Sequence, residues 1–197
     1  MRLPLCTALA LIGTLPAIAR AQAATHDFND WSVLPLTEGP HPVALLGPGY
    51  PGLVVRGYVN NFNAHSYHSF TFYLSYPDSE GGQIRWDLVP FVAGSEVHRD
   101  FVTAQGADCV LRDLRLLRPK MQPPTAMAVL TAQRRMGESY ADSQLVDFSL
   151  YQLRTSVTMA PGTPGIYFEK TRSLTSRRRY CDVEQAFKEE FGFGPGT

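Results

Sequence analysis

Three patterns of apolar and polar positions follow one another along this 197-residue chain. The first is an apolar stretch from Leu3 to Ile18. It follows the positive Arg2, ends before Arg20, and is trailed by the small-x-small triplet Ala21-Gln22-Ala23. Charge, apolar core and small-residue exit in that order read as a secretory signal peptide, so residues 1–23 are set aside from the fold. A membrane anchor fits less well, because Pro4 and Pro16 interrupt the run and it is short for a bilayer. No later stretch is long and apolar enough to predict a span after the leader is removed.

The second pattern has period two. Residues 25–50 are punctuated by Pro and Gly and read as an irregular entry. Leu53 to Val59 is a β-branched run. From Tyr67 to Tyr76, Phe70, Phe72, Leu74 and Tyr76 share one face, with Ser69, Thr71, Tyr73 and Ser75 on the other. The stretch Pro77-Asp78-Ser79-Glu80-Gly81-Gly82 predicts a turn. Gln83 to Phe91 predicts a further strand with Ile84, Trp86 and Leu88 on one face, which makes an antiparallel meander. Cys109 to Arg118 fits a strand or a helix, and flanking Gly106 and Pro119 favour the strand. Ala126 to Arg134, Leu145 to Thr155 and Gly165 to Lys170 predict three more strands.

The third pattern is helical. Val183, Phe187 and Phe191 are four apart, Asp182 stands at an N-cap position with Gln185 three residues on, and Gly192 stops the run. The expected architecture is mainly β: one antiparallel β-sandwich-like domain over residues 24–197, with a C-terminal α-helix packed on a sheet.

Charge narrows the partners. The chain's 18 Lys and Arg balance 18 Asp and Glu, and Arg2 and Arg20 leave with the leader, for a net charge of −2. Nucleic acid is therefore not an expected partner. The one basic cluster, Arg177-Arg178-Arg179, is followed by Glu184, Glu189 and Glu190 and reads as a solvated loop. Of three cysteines, Cys6 is lost with the leader. Cys109 and Cys181 remain as an even pair in an oxidising compartment, and they are expected to bridge.

Candidate chemistry concentrates between Val59 and Phe70, where Asn60, Asn61, Asn63, His65 and His68 crowd into a few positions. Asn and Ser suit a tight turn, because their side chains bond nearby backbone. A structured hairpin connection is one reading of the cluster. The other is a ligand-facing surface made of Asn61, Asn63, His65 and His68, with Arg56 or Arg85 as cationic partner for a carboxylate. His65 and His68 are three apart, so an extended strand separates their faces, and no metal or other cofactor is expected. The chain contains no Gly-x-Ser-x-Gly, no Ser-x-x-Lys and no Gly-rich phosphate loop with Lys, so no catalytic residue is assigned. Asp142 is expected to pair with Arg134 or Arg135 across a hairpin.

Several segments in order resemble one family: VNNFNAHSYHSFTFYL, DCVLRDLRLLR, GESYADSQLVDFSLYQL and YCDVEQAFKEEFG are similar to the CarG-like proteins, over roughly Leu53 to Phe191. These are periplasmic proteins associated with bacterial self-resistance to carbapenems. The resemblance implies a periplasmic or secreted, β-rich, non-catalytic protein that protects by binding a β-lactam or by shielding a target. It transfers no site residues. A cell-envelope interaction module whose partner is a protein is the alternative.

Overall fold

The computed structural model describes residues 28–47, 49–77, 84–120, 126–157 and 162–195. The expected leader (1–23) and most of the turn expected at 77–82 lie outside the described residues. Among the described residues thirteen strands and one helix follow in chain order. They are β1 (Trp31–Leu34), β2 (Gly39–Val43), β3 (Gly52–Val59), β4 (Tyr67–Pro77), β5 (Ile84–Leu88), β6 (Phe91–Ala93), β7 (Glu96–His98), β8 (Phe101–Val102), β9 (Ala104–Gln105), β10 (Val110–Pro119), β11 (Ala128–Arg134), β12 (Gln144–Thr155), β13 (Ile166–Tyr180) and α1 (Val183–Phe191). No described helix is long and apolar enough to cross a membrane.

Two sheets form. The larger runs β1-β10-β11-β12-β13-β6-β7, with β9 also on β10; the smaller runs β2-β3-β4-β5, with β8 also on β4. The expected meander is present, since β3, β4 and β5 pair antiparallel in sequence order. The pairing of β13 with β6 is parallel, Phe168 opposite Phe91. The large sheet is the middle of three layers. One of its faces meets the small sheet through Phe91, Leu114, Leu116, Val129 and Phe168, which pack on Val54, Phe70, Phe72 and Leu74. Its other face meets α1 through Leu117, Leu130, Val146, Phe148 and Tyr180, packed on Val183, Ala186 and Phe187. In β11 Val129 points to the small sheet while Ala128 and Leu130 point to the helix. The strand is accordingly buried nearly end to end, as a strand covered on both faces must be.

The helix forms as its caps predict. Asp182 is extended and its carboxylate accepts from Glu184 N at 2.6 Å. Gly192 takes the left-handed conformation (φ 73°), and Phe193 N donates to Phe187 O. Gln185 does not close a capping box; its amide donates to Glu189 instead. Cys109 and Cys181 form a disulfide that joins the start of β10 to the start of α1.

Three expectations are corrected. Gln83 to Phe91 is not one strand: the ladder of β5 ends at Leu88, and Phe91 belongs to the other sheet. Pro90 has no N–H to continue a ladder. Val89 N donates back to Phe72 O while Pro90 O accepts from Phe168 N, so the chain switches sheets at this pair. Arg177–Arg179 is not a loop either, because β13 runs through it to Tyr180. Helix carboxylates pair with two of its three arginines there. Glu190, its side chain 1% exposed, accepts from Arg177 N, Arg177 Nε and the Tyr180 hydroxyl, and Arg178 pairs with Glu189. Burial pushes the Glu190 carboxyl up, but these three donors hold it below its ordinary range. Asp142 pairs with neither arginine: its carboxylate accepts from Ser139 N, Arg134 bonds the Asp142 carbonyl, and Arg135 pairs with Asp147.

Candidate functional site

The inner face of the small sheet changes character along its length. Val54 and Phe72 meet in the core; two residues on, Arg56 lies opposite Phe70, and after that Tyr58 lies opposite His68. Because side chains alternate, Arg56, Tyr58 and His68 continue the same inward face beyond the apolar filling. A cleft of about 210 Å³ opens there. Arg56 and His68 of the small sheet, Thr103 and Gln105 of the β8–β9 segment, Val110 and Asp113 of β10 and Glu184 of α1 line it.

The basic wall is built on strand register. Arg56 Nη1 donates to Leu36 O at 2.5 Å, its Nη2 lies 3.3 Å from His68 Nε2, and its guanidinium sits 5.6 Å from the Phe70 ring centroid. Its Nε is buried without a hydrogen-bond partner, and Arg56 forms no ion pair among the described residues. His68 is held by its backbone, donating to Thr103 Oγ1 and accepting from Thr103 N, and its ring reaches Glu38 at 3.3 Å. Burial, and then the Arg56 charge, pull the imidazole pKa below its ordinary value; Glu38 opposes them without reversing the shift. The ring is therefore neutral at pH 7 and can accept a hydrogen bond.

The acidic wall hangs on Arg115, which is fully buried. It donates to Asp113 Oδ2 at 2.9 Å, to Glu184 Oε2 at 2.5 Å and to Gly194 O at 2.9 Å, and its guanidinium lies 4.3 Å from the Phe187 ring centroid. Glu184 Oε1 is buried without a partner. Burial and the neighbouring Asp113 carboxyl push Glu184 up to about 7, against the pull of Arg115.

The four residues expected as a ligand surface divide into two groups. Asn61 and Asn63 are exposed and spend side-chain atoms on the β3–β4 turn: Asn61 Nδ2 donates to His65 O, and Asn63 Oδ1 accepts from His65 N. Phe62 takes a positive φ of 56° at the apex, its N–H held by Asn60 Oδ1. His65 is exposed, bonded to the carbonyl of Gln105 at 3.1 Å, and so stands at the rim of the cleft. His68 faces inward with Arg56. Arg85, the other candidate cation, pairs with Asp87 on the exposed strand β5, away from the cleft. Sequence reading missed Asp113, Arg115 and Glu184, which come from distant segments. The even spacing of Arg56 with Val54, and of His68 with Phe70 and Phe72, does carry a signal that both face inward.

A larger hollow of about 440 Å³, lined by Leu46, Tyr50, Leu74, Ser75, Thr155 and Ile166, carries no cationic, carboxylate or imidazole side chain among the described residues. Nor do three of His, Cys, Asp or Glu converge as metal ligands would among those residues.

No protein-family model and no curated protein matches this chain. Among solved structures it is similar to one described as the crystal structure of CarG, with a TM-score of 0.64 and 20% identity over 83% of this chain and 99% of that one. The three-layer fold is therefore a CarG-like fold.

Proposed function

We propose that this is an exported, non-catalytic binding protein of the periplasm or cell exterior, which protects against a β-lactam of the carbapenem type by holding the intact drug. The observation that carries the reading is Arg56, a part-buried cation with no ion pair among the described residues, at the end of a cleft in a CarG-like fold. A carbapenem brings a carboxylate and two carbonyls. Arg56 attracts the carboxylate, the neutral His68 ring and the Gln105 amide offer hydrogen bonds, and His65 stands at the rim, on the turn that Asn61 and Asn63 hold. Nothing placed in the cleft is arranged as a nucleophile beside a base, so the protection is stoichiometric. The CarG-like fold and the disulfide of an oxidising compartment support the reading.

Native mass spectrometry of the purified, oxidised protein with a carbapenem tests it. The expected result is a complex of protein and intact drug that dissociates on denaturation. Arg56→Gln should weaken it by about tenfold or more, through loss of a charged hydrogen bond. Hydrolysed drug, an adduct that survives denaturation, or no complex at all would each overturn the proposal.

A further inference from the structure

Where the chain leaves the small sheet for the large one, the apolar filling between the sheets reaches solvent. β5 ends at Leu88, Val89 and Pro90 carry the chain across, and β6 begins at Phe91. A hollow of about 310 Å³ lies against this crossing, and Leu74, Val89, Pro90, Val97 and Ile166 form much of its wall. The 440 Å³ hollow adjoins it, because Leu74 and Ile166 line both. Leu74 and Val89 are core residues, and Leu46 and Ile166 pack against that core. At the outer margins Tyr50 is 56% and Val97 50% exposed. Leu74 lies six residues along β4 from His68 of the cleft, which is about 20 Å of strand, so the two sites stand at different ends of the sandwich.

Charge is confined to one side of this pair of hollows. Among the described residues lining the smaller one, the ionisable side chains are Asp87 and Arg99. The Asp87 carboxylate is taken by Arg85, at 2.6 Å and 3.0 Å. Arg99 is exposed and forms no hydrogen bond or ion pair among the described residues. In the larger hollow the polar side chains are only the hydroxyls of Tyr50, Ser75 and Thr155. Small-molecule sites are ~300–1,000 Å³, mostly apolar, with a few polar groups that fix orientation. A sugar or a peptide would leave most of its polar groups unpaired here. One free cation beside an apolar hollow suits a molecule with one anionic head and a wholly apolar body.

We propose that this end of the sandwich binds a free medium-chain fatty acid, with its carboxylate on Arg99 and its tail over Leu74 and Ile166 into the hollow beside Tyr50. The tail takes its affinity from apolar area removed from water, and Arg99 sets which end leads. The site uses none of the residues of the Arg56 cleft.

The test is isothermal titration calorimetry of the purified oxidised protein with decanoate, kept well below the concentration at which it forms micelles. The expected result is one decanoate per chain with a Kd on the order of 0.1 mM or tighter. Hexanoate lacks four methylenes of buried tail and should bind at least about tenfold more weakly. Arg99→Gln should weaken decanoate by about threefold to tenfold, the range of a partly exposed ion pair, and should leave 1-decanol unchanged. Thr155→Trp places an indole in the larger hollow from the exposed end of β12 and should cost about tenfold or more for both ligands. Circular dichroism checks that each variant keeps its fold. No binding of decanoate, hexanoate binding as tightly, or an Arg99→Gln variant that holds decanoate as the wild type does would overturn the proposal.

Discussion

Replacing Phe187 by alanine tests the helix layer that forms the acidic wall of the cleft. Phe187 is 0% exposed, 5.6 Å from the Phe148 ring and 4.3 Å from the Arg115 guanidinium. Truncating a fully buried phenylalanine in a filled core costs ~3–5 kcal/mol. The guanidinium beneath it is fully buried, so the cation–π contact belongs near the desolvated end of its range, about 2 kcal/mol. The two terms share contacts and do not simply add, and a total loss of about 4–5 kcal/mol is expected. That is a large share of the ~5–15 kcal/mol by which a domain is stable. Urea unfolding should show a lower midpoint at unchanged slope. A double-mutant cycle with Arg115→Met should return a coupling of about 1–2 kcal/mol for the ring–cation pair. A loss below about 1.5 kcal/mol, typical of a surface site, would show that α1 is not docked as described. Zero coupling would remove the cation–π contribution while leaving the packing.

Three further outcomes are expected. Glu184 is pushed up to about 7, above its unfolded value, so folding takes up a proton and stability falls as pH rises from about 4.5 to 7. The shift corresponds to about 3 kcal/mol, which solvent at a side chain 28% exposed reduces to about 1–2 kcal/mol; urea midpoints of wild type and Glu184→Gln should diverge across that window, and parallel curves would sink the argument. The disulfide closes a sequence separation of 72, and reducing it should cost about 4 kcal/mol by the chain-entropy relation, read as a lower thermal midpoint in reductant. A Cβ at Gly52 would lie 2.9 Å from Val43 O and 3.1 Å from Tyr73 O, so Gly52→Ala should cost about 1–3 kcal/mol in denaturant titration, whereas Gly57→Ala, with nothing within 4 Å, should escape that clash.

Local periodicity made the strands, the meander and the helix readable, because each depends on residues near one another in the chain. Phe70, Phe72 and Leu74 alternate, and Val183 and Phe187 repeat by four, whatever lies far away. The sheet switch at Val89-Pro90 was not legible in the same way: an apolar alternation from Ile84 to Leu88 looks the same whether it faces a core or solvent, and here it faces outward. The basic run at 177–179 misled for a related reason. Its partners Glu189 and Glu190 approach only once the helix folds back on β13. The cleft was half legible. Arg56 and His68 sit on readable strands, but Asp113, Arg115 and Glu184 meet only through β10 packing against a helix some seventy residues later.

The bridge between Cys109 and Cys181 stands one residue before the Asp182 cap, which also accepts from Val110 N at 3.2 Å. A helix tethered at its first turn can swing outward at its far end while its beginning stays in place. Glu184, two residues beyond the cap, lies at the pivot, and Phe191 lies at the far end. Transient loosening at that end would therefore open the Phe28–Phe191 packing and release the bond from Arg115 to Gly194 O, the same guanidinium that holds Asp113 and Glu184. The acidic wall of the cleft is in this way coupled to the far end of the helix through one buried guanidinium, and fraying there reaches the cleft.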